Sequence, residues 1–533
     1  MWSARALSVI LSSFVTSLLL AILSAFLLLL AFPTFDLGWL AWLGLVPLFV
    51  AISDRSAKSA FFLSYLCGIV FMSGVYRWVL EAPGYHLYHH AILVIYLGSY
   101  FGLFGGIVNL LSRRRGAAWA YLAMPFVWVA MEFARSNLSF LALPFPILAH
   151  SQYSYLKVIQ ITSLTGAYGL SFLIVLFDSA LAALVLRSIY RSVTHGETSG
   201  VPSRRGTFRL VLLTAPLLAV VLFYGHSVLP QGPMSGKSIV VSVVQGNIDR
   251  EKKGDARKHA TFIMQKYAEL SERASLDRPE LIVWPEAATP GLVLKNLHIL
   301  NQMVTITRRA NTHFLIGSSE YPKFTTEKLD PGKIGNTALF FSPEGKTLGQ
   351  YLKIRLIPFA EYIPYLGVVP WPEFIVPENK KIPEVPGREY TLFDLHGTKF
   401  GAVICSECAF PDLFRRFVNK GAAFMVNITN EGWFGETALH QKVAASVFRA
   451  VENRVFLVRA TNTGISCFID PYGRITGRVQ KDGRDTLVEG YLTRPVYLSD
   501  ERTFYTRYGD LFAYLCLLVS AVMTGISLWG AKR

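Results

Sequence analysis

Eight long apolar runs constrain the fold of this chain more than any other feature of the sequence. A bilayer core of about 30 Å is crossed by roughly 20 apolar residues in a helix, and each run reaches or approaches that length. Seven runs precede residue 227 and one closes the chain: residues 8–31, 37–53, 57–79, 90–112, 117–135, 164–188, 209–226 and 509–529. With 52% hydrophobic and 17% charged residues, the composition also predicts a polytopic membrane protein, with about eight transmembrane helices.

The apolar runs divide the sequence into three parts. Residues 1–226 are expected to form a transmembrane domain of about seven helices, and residues 508–533 a C-terminal transmembrane helix and tail. Residues 227–507 mix charge, proline and glycine as a soluble domain does. The first run follows Arg5, as in a signal peptide, but it is longer than an h-region of about 7–15 residues and lacks a small-residue cleavage site. We therefore expect it to be a retained helix.

Lysine and arginine are distributed unevenly among the segments between the apolar runs. If the N-terminus is cytoplasmic, the outer loops contain only Arg77, Arg135 and Lys157, whereas the cytoplasmic segments contain Arg5, Arg55, Lys58, Arg113, Arg114, Arg115, Arg187, Arg191, Arg204, Arg205, Arg209, Lys532 and Arg533. Because cytoplasmic loops carry the excess of positive charge, both termini are expected in the cytoplasm and residues 227–507 on the outer face. The net charge of +16 is then partly topological, and no nucleic-acid partner is predicted.

Residues 227–507 alternate short β-like runs with amphipathic helical stretches. Helices are predicted at 259–275, 411–419 and 437–453, and hairpin turns at Ser342–Gly345 and Asp470–Gly473. The runs with strand character are 238–246, 280–286, 312–320, 336–345, 347–353, 390–397, 399–407, 423–430, 455–462, 465–473 and 486–492. Interleaved strands and helices predict an α/β layered sandwich.

The five cysteines are too few for a disulfide framework. Three lie in apolar or alternating runs and are interpreted as core residues: Cys67, Cys467 and Cys516. Cys405 and Cys408 instead lie where the strand GAVIC ends. They fit a zinc half-site, although no second ligand pair follows; a redox pair; or a single nucleophile with an incidental neighbour.

Two charged residues upstream of Cys405 also stand at strand ends. Glu286 ends the run ELIVWPE, where burial would raise the pKa of its carboxylate and suit it to act as a base. Lys353 ends the run TLGQYLK and opens a segment that also presents Glu361. Taken singly, each is typical of a solvated strand end, but a redox pair does not explain why they occur together with Cys405.

In this order the residues resemble the carbon–nitrogen hydrolase, or nitrilase, superfamily. The resemblance rests on WPE at 284–286, Lys353, the C-x-E pattern of Cys405 and Glu407, and NITNEGWF at 427–434. The flanking apolar runs narrow the resemblance to the membrane members of that superfamily, the apolipoprotein N-acyltransferases. The segments LAFPTFDLGWLAWLGLVPL at 30–48 and VVQGNI at 243–248 are similar to that family as well, so the resemblance covers nearly the whole chain.

The resemblance implies a nitrilase-like αββα sandwich and a ping-pong acyl transfer. Cys405 would be the nucleophile that takes an acyl chain from a phospholipid as a thioester, Glu286 the general base and Lys353 the residue that stabilises the oxyanion; Glu361 and Glu407 would support them. The acceptor would be the α-amino group of the N-terminal S-diacylglyceryl cysteine of a lipoprotein. The family also implies a monomer in the bacterial inner membrane, with the catalytic domain periplasmic, and no cofactor or metal.

Two positions depart from the family pattern. Ser406 stands where relatives often have an aromatic residue, and Gly254 where they often have tryptophan, which concerns lipid handling rather than chemistry. Cys408 is expected to be buried or to point away from the site.

Two other functions compete with acyl transfer. The main alternative is a membrane-anchored nitrilase-family amidase that hydrolyses small amides. The other is a transporter, for which Asp178 is the chief charged residue within the apolar runs.

Overall fold

The computed structural model describes residues 13–190, 200–232, 234–322, 333–376, 384–432 and 434–529. The chain divides into two compact units, Met1–Leu229 with Tyr508–Arg533, and Pro230–Arg507. The expectations for Arg5, Arg191, Lys532 and Arg533, and so for the location of both termini, lie outside the described residues.

The first unit is built from apolar helices. Within the described residues, seven helices are long and apolar enough to cross a membrane: α1 Phe14–Ala31, α2 Ala57–Val75, α3 Leu87–Arg115, α4 Ala117–Asn137, α5 Ala167–Tyr190, α6 Arg204–Val228 and the C-terminal helix Leu511–Trp529. Short helical segments lie between them at Arg77–Glu81, Ser139–Leu141, Leu148–Gln152, Leu156–Ile159 and Thr162–Thr165. The prediction of a polytopic α-helical domain is confirmed.

The predicted span at 37–53 is not one long helix. It forms three short helices, Gly38–Leu40, Ala41–Gly44 and Val46–Ile52. Helical hydrogen bonding is interrupted at Leu45, because its N–H donates to the Asp178 carboxylate at 3.1 Å, and Pro47 in the next turn has no N–H to donate. Asp178 thus caps a helix start inside the unit, which gives this buried charge a structural explanation.

Helices α2 and α3 approach each other closely through small residues. A Cβ atom at Gly105 would lie 2.1 Å from Ser64 Oγ, and one at Gly68 would lie 2.7 Å from Phe101 Cβ. Glycine at such contacts lets helix backbones pack tightly where lipid supplies no hydrophobic drive between helices.

The second unit contains twelve strands in two six-stranded sheets. The strands are β1 Ser238–Gln245, β2 Leu281–Val283, β3 His313–Glu320, β4 Gly335–Phe341, β5 Thr347–Leu352, β6 Leu392–Leu395, β7 Thr398–Ile404, β8 Phe424–Thr429, β9 Phe456–Thr461, β10 Cys467–Ile469, β11 Ile475–Arg478 and β12 Gly490–Tyr497. The first sheet has the order β12-β1-β2-β3-β4-β5 and the second β11-β10-β9-β8-β7-β6. All the predicted strands are present. One further strand, β11, was not predicted.

Four helices accompany the sheets: α7 Ala260–Ser275, α8 Leu297–Ala310, α9 Pro411–Asn419 and α10 Glu436–Asn453. Three of them match the predicted helices, whereas α8 was not predicted. Short helices also occur at Arg250–Gly254, Cys405–Ala409 and Phe504–Tyr508. The two predicted hairpin turns join β4 to β5 and β10 to β11, and Gly345 and Gly473 have the positive φ angles that such turns favour.

The two sheets pack face to face. The ring of Phe340 on β4 lies 5.4 Å from that of Phe393 on β6 and 5.5 Å from that of Phe400 on β7. Helices α7 and α8 cover the outer face of the first sheet around Tyr267 and Trp284, and α9 and α10 pack against the second sheet. The order of layers is helix, sheet, sheet, helix, which confirms the predicted αββα sandwich.

Parallel strands at the centre of each sheet determine where the loops meet. Strand β2 runs parallel to β1 and β3, and β8 runs parallel to β7 and β9. Glu286 follows β2, Cys405 follows β7 and Asn430 follows β8, so all three stand beyond the carboxyl ends of parallel strands. The backbone N–H of Asn430 donates to the Glu286 carboxylate at 2.7 Å, which joins the two sheets at this edge.

Candidate active site

Cys405 stands at the junction between β7 and a short helix. Its φ angle is +53°, in the left-handed region, which costs a non-glycine residue roughly 1–2 kcal/mol. The Asn427 amide holds this conformation by donating to the carbonyl oxygens of Val403 at 3.2 Å and of Cys405 at 3.4 Å. The cysteine is 5% exposed. Such a bend turns the side chain away from the strand direction, as is common at functional sites.

Glu407 is fully buried and ties this junction to the segment after β5. Its carboxylate accepts hydrogen bonds from the backbone N–H groups of Ile404 at 2.7 Å, Ile354 at 2.8 Å and Arg355 at 2.9 Å. The Tyr351 hydroxyl donates to it as well, at 2.9 Å. Burial raises the pKa of Glu407, and the backbone hydrogen bonds oppose that rise. The carboxylate therefore fixes the end of β7 relative to Lys353.

Lys353 is buried and surrounded by carboxylates. Its Nζ donates to Glu361 Oε1 at 2.5 Å and lies 4.0 Å from Glu286 Oε1. The second oxygen of Glu361 accepts from the Ile357 N–H at 2.8 Å. Burial by itself lowers the pKa of Lys353, but the negative charges of Glu361, of Cys405 as a thiolate and of Glu286 raise it well above its usual value. The ammonium group is therefore charged at neutral pH.

Glu286 is held from both sheets. One carboxylate oxygen accepts from Asn336 Nδ2 of β4 at 2.6 Å, and the other accepts from the Asn430 N–H. The backbone packs against Gly317, where a Cβ atom would lie 2.4 Å from Glu286 Cα. This close approach requires glycine at 317 and holds the backbone of Glu286 against β3.

The Cys405 thiol is neutral at neutral pH. Burial, followed by the negative charge of Glu286, raises its pKa to about 11, while the charges of Lys442 and Lys353 act in the opposite direction. A thiol of this kind attacks a carbonyl carbon only when a base takes its proton. Glu286 is the carboxylate whose charge most strongly raises the pKa of this thiol.

A second charged group, which the sequence did not predict, also lies near Cys405. Lys442 of α10 places its Nζ 3.9 Å from Cys405 Sγ and 3.4 Å from Glu431 Oε1. Glu431 in turn accepts from the Arg459 guanidinium, which also donates to Asn427 Oδ1 at 2.6 Å. A lysine within the helical sequence QKVAASVF resembles any solvated helix lysine, so no sequence signal identified it.

Glu384 is a further carboxylate near Lys353 that the sequence did not indicate. Its N–H donates to the Glu361 carbonyl oxygen at 2.9 Å, and its Oε2 is buried without a hydrogen-bond partner in the described structure. Burial and the charge of Glu361 raise the pKa of Glu384 to about 7.

The remaining sequence-predicted positions are also located. All five cysteines are free, and Cys408 is fully buried. Ser406 is half-buried beside Cys405, and Gly254 is exposed at the end of a short helix. No cluster of three or more metal-ligating side chains occurs among the residues that the structure describes.

Two protein-family models match the chain. The model described as apolipoprotein N-acyltransferase N-terminal domain matches residues 24–180, and the carbon-nitrogen hydrolase model matches residues 240–490. Among solved structures, an amidase of the nitrilase superfamily from Nesterenkonia AN1 is 18% identical, with a TM-score of 0.38 over 53% of this chain and 98% of that chain.

Relatives of full length give a closer match. The apolipoprotein N-acyltransferase of Geobacter metallireducens is 34% identical over 522 residues, which is 96% of this chain and 95% of the relative. That of Chlorobaculum tepidum is 28% identical over 529 residues, 95% of each chain. Because these relatives match both units from end to end, the chain belongs to the apolipoprotein N-acyltransferase family.

Proposed function

We propose that this chain is a membrane acyltransferase that moves an acyl chain from a phospholipid, through a thioester on Cys405, to the α-amino group of the N-terminal S-diacylglyceryl cysteine of lipoproteins. The observation that carries the proposal is a buried thiol at a strained strand end, with Glu286 and Lys353 acting on it electrostatically, in a chain of this family. Glu286, Lys353 and Cys405 are the proposed triad, with Glu361 and Glu407 as positioning residues.

In the first half-reaction, Cys405 Sγ attacks the ester carbonyl carbon of the phospholipid while its proton passes to the Glu286 carboxylate. The tetrahedral intermediate carries a negative oxygen, which the Lys353 ammonium stabilises; each such donor contributes about 3–4 kcal/mol. The C–O bond then breaks, and Glu286 returns the proton to the leaving oxygen. The products are an acyl thioester on the enzyme and a lysophospholipid, with no oxidant, reductant or metal required.

In the second half-reaction, the acceptor amine attacks the thioester carbonyl carbon. An α-amino group has a pKa of about 7.7–8.0, so a substantial fraction is neutral and nucleophilic near pH 7. Glu286 accepts a proton from the attacking nitrogen, the C–S bond breaks, and the sulfur recovers its proton. Lys353, held charged by Glu361, stabilises the oxyanion again.

We further propose the division of labour between the units. Residues 1–226 and 508–533 would form the transmembrane domain, and residues 227–507 the catalytic domain on the periplasmic side of the bacterial inner membrane. Both substrates are lipids, so an enzyme anchored by seven or more apolar helices can receive them by lateral diffusion. The proposal predicts a monomer with both termini in the cytoplasm.

A labelled-lipid assay tests this function. The purified full chain is incubated with a phospholipid carrying a labelled acyl chain and with a synthetic S-diacylglyceryl cysteine peptide. We expect the label to appear on the peptide nitrogen, and only when the peptide is present. Labelled free fatty acid as the sole product would contradict transfer and support hydrolysis by an amidase-type enzyme.

A further inference from the structure

Lys442 is a lysine that contacts Cys405 but is not part of the proposed triad. Its Nζ lies 3.9 Å from Cys405 Sγ and its side chain is 5% exposed, on a helix that packs against the Cys405–Ala409 turn. The ammonium also faces the ring of Phe434, with Nζ 4.8 Å from the ring centroid. A buried lysine with these neighbours is held in place rather than solvated.

Glu431 does not require Lys442 as its counterion. Glu431 Oε1 already forms an ion pair with the Arg459 guanidinium, and both side chains are fully buried. Lys442 approaches the same oxygen at the longer distance of 3.4 Å. Two cations therefore share one carboxylate, and one of them, Lys442, lies 3.9 Å from the sulfur.

The charged residues around Lys353 instead carry an excess of negative charge. Glu286 and Glu361 contribute two carboxylates there against the single ammonium of Lys353. A thiolate formed beside two carboxylates is disfavoured by like-charge repulsion. A cation within 4 Å of the sulfur offsets that repulsion, and it does so most strongly in a buried site of low dielectric.

Resting on the proposed function, in which Cys405 is the nucleophile, we propose that Lys442 is a fourth catalytic residue, whose ammonium stabilises the Cys405 thiolate as the proton leaves and as the thioester breaks. Glu431 is a positioning residue that keeps Lys442 charged and in place, and Arg459 holds Glu431. Burial alone lowers the pKa of Lys442, and the charges of the Cys405 thiolate and of Glu431 raise it above its usual value. The same ammonium would assist both half-reactions, because the sulfur is anionic when each thioester bond forms or breaks.

The test is the alkylation rate of Cys405 by iodoacetamide in the full chain, read by mass spectrometry of the peptide containing it, across a pH series. Only the thiolate reacts, and a rise of one unit in thiol pKa lowers the thiolate fraction tenfold below the pKa. A more basic thiolate is also a better nucleophile, which returns part of that loss. We therefore expect Lys442→Met to slow alkylation about threefold or more near pH 8, and Lys442→Arg to restore most of the rate.

The controls separate charge from structure. Lys420→Met removes an exposed lysine of the same unit and is expected to leave the rate unchanged. Should Lys442→Met fail to fold, Lys442→Gln decides, because its amide keeps a polar side chain without the charge and alkylation should slow by a similar factor. Equal rates for the wild type and for whichever of these two variants folds overturn the role of Lys442. Because alkylation reports on the thiol alone, these outcomes are independent of whether the labelled-lipid assay succeeds.

Discussion

Two groups of residues near the Cys405 thiol differ in charge and in the structural elements that supply them. We call them the acidic side and the basic side. The acidic side comprises Glu286, Lys353, Glu361 and Glu384, which lie at the ends of first-sheet strands or in the segment that follows them. The basic side comprises Asn427, Glu431, Lys442 and Arg459, which come from second-sheet strands, a loop and α10. The acidic side has more carboxylates than cations, and the basic side more cations than carboxylates. The acidic side therefore suits the transfer of a proton, and the basic side suits the stabilisation of an anionic sulfur.

Removing the proposed base, Glu286, should have the largest effect. We expect Glu286→Gln to lower the rate of thioester formation about a thousandfold, within the range for loss of a general base. Its effect on iodoacetamide alkylation of Cys405 should have the opposite sign to that of Lys442→Met: loss of the carboxylate charge favours the thiolate and raises the rate. Stopped-flow acylation and alkylation of the same preparations provide both measurements.

The matched control for Glu286→Gln is Glu269→Gln, an exposed carboxylate on α7 that accepts a hydrogen bond from Gln265. This variant should match the wild type in both assays. If Glu286→Gln and Lys442→Met changed alkylation in the same direction, the contrast between an acidic and a basic side would be wrong.

Glu407 joins the acidic side to the junction at Cys405, and its loss should act mainly on stability. In Glu407→Gln the amide nitrogen faces the N–H groups of Ile404, Ile354 or Arg355, leaving buried donors unpaired. We expect the free energy of unfolding to fall by about 2 kcal/mol, as for a hydrogen-bonded buried charge. Chemical denaturation of the purified chain in detergent measures this.

An exposed ion pair nearby provides the comparison for Glu407. Asp412→Asn breaks the contact between Asp412 and the Arg355 guanidinium at 3.0 Å, in which both side chains are partly solvated. Its cost should stay below about 1 kcal/mol. Equal losses of unfolding free energy in the two variants would mean that Glu407 stabilises the fold no more than a surface carboxylate does.

The smallest effect should come from Glu384, and it should depend on pH. The folded-state pKa of about 7 lies above the ordinary value of 4.5, so between these values the unfolded chain releases a proton that the folded chain retains. Stability is therefore lost as the pH rises through this window and changes no further above it. Glu384→Gln should melt at the same temperature as the wild type near pH 4.5 and a few degrees higher at pH 8. A constant difference across the pH range would show that Glu384 does not titrate there.

Much of the acidic side could be predicted from the sequence, because its members stand at the ends of strands with clear patterns. WPE and the C-x-E pattern end apolar runs that form the parallel strands β2 and β7, and Lys353 follows β5, so each stands at a recognisable strand end. The basic side could not be predicted in the same way. Lys442 lies in the middle of a helix and Arg459 in the middle of a buried strand, where only packing against distant residues reveals a role.

The fold shows the same division between local and distant information. Long apolar runs predict long helices because their length and composition are local properties, as in α1 to α6. The run at 37–53 forms short helices because a carboxylate more than a hundred residues away, Asp178, accepts the Leu45 N–H. Likewise β11 has only four residues, and its pairing with β10 could not be recognised from ITGR alone.

Intact mass measurement of the purified chain after exposure to a phospholipid of defined acyl composition determines whether Cys405 carries the acyl group. The expected result is the addition of one acyl group in the wild type and in Cys408→Ala, removable by hydroxylamine, and no addition in Cys405→Ala. Addition that persists in Cys405→Ala, or that is lost only in Cys408→Ala, would contradict it.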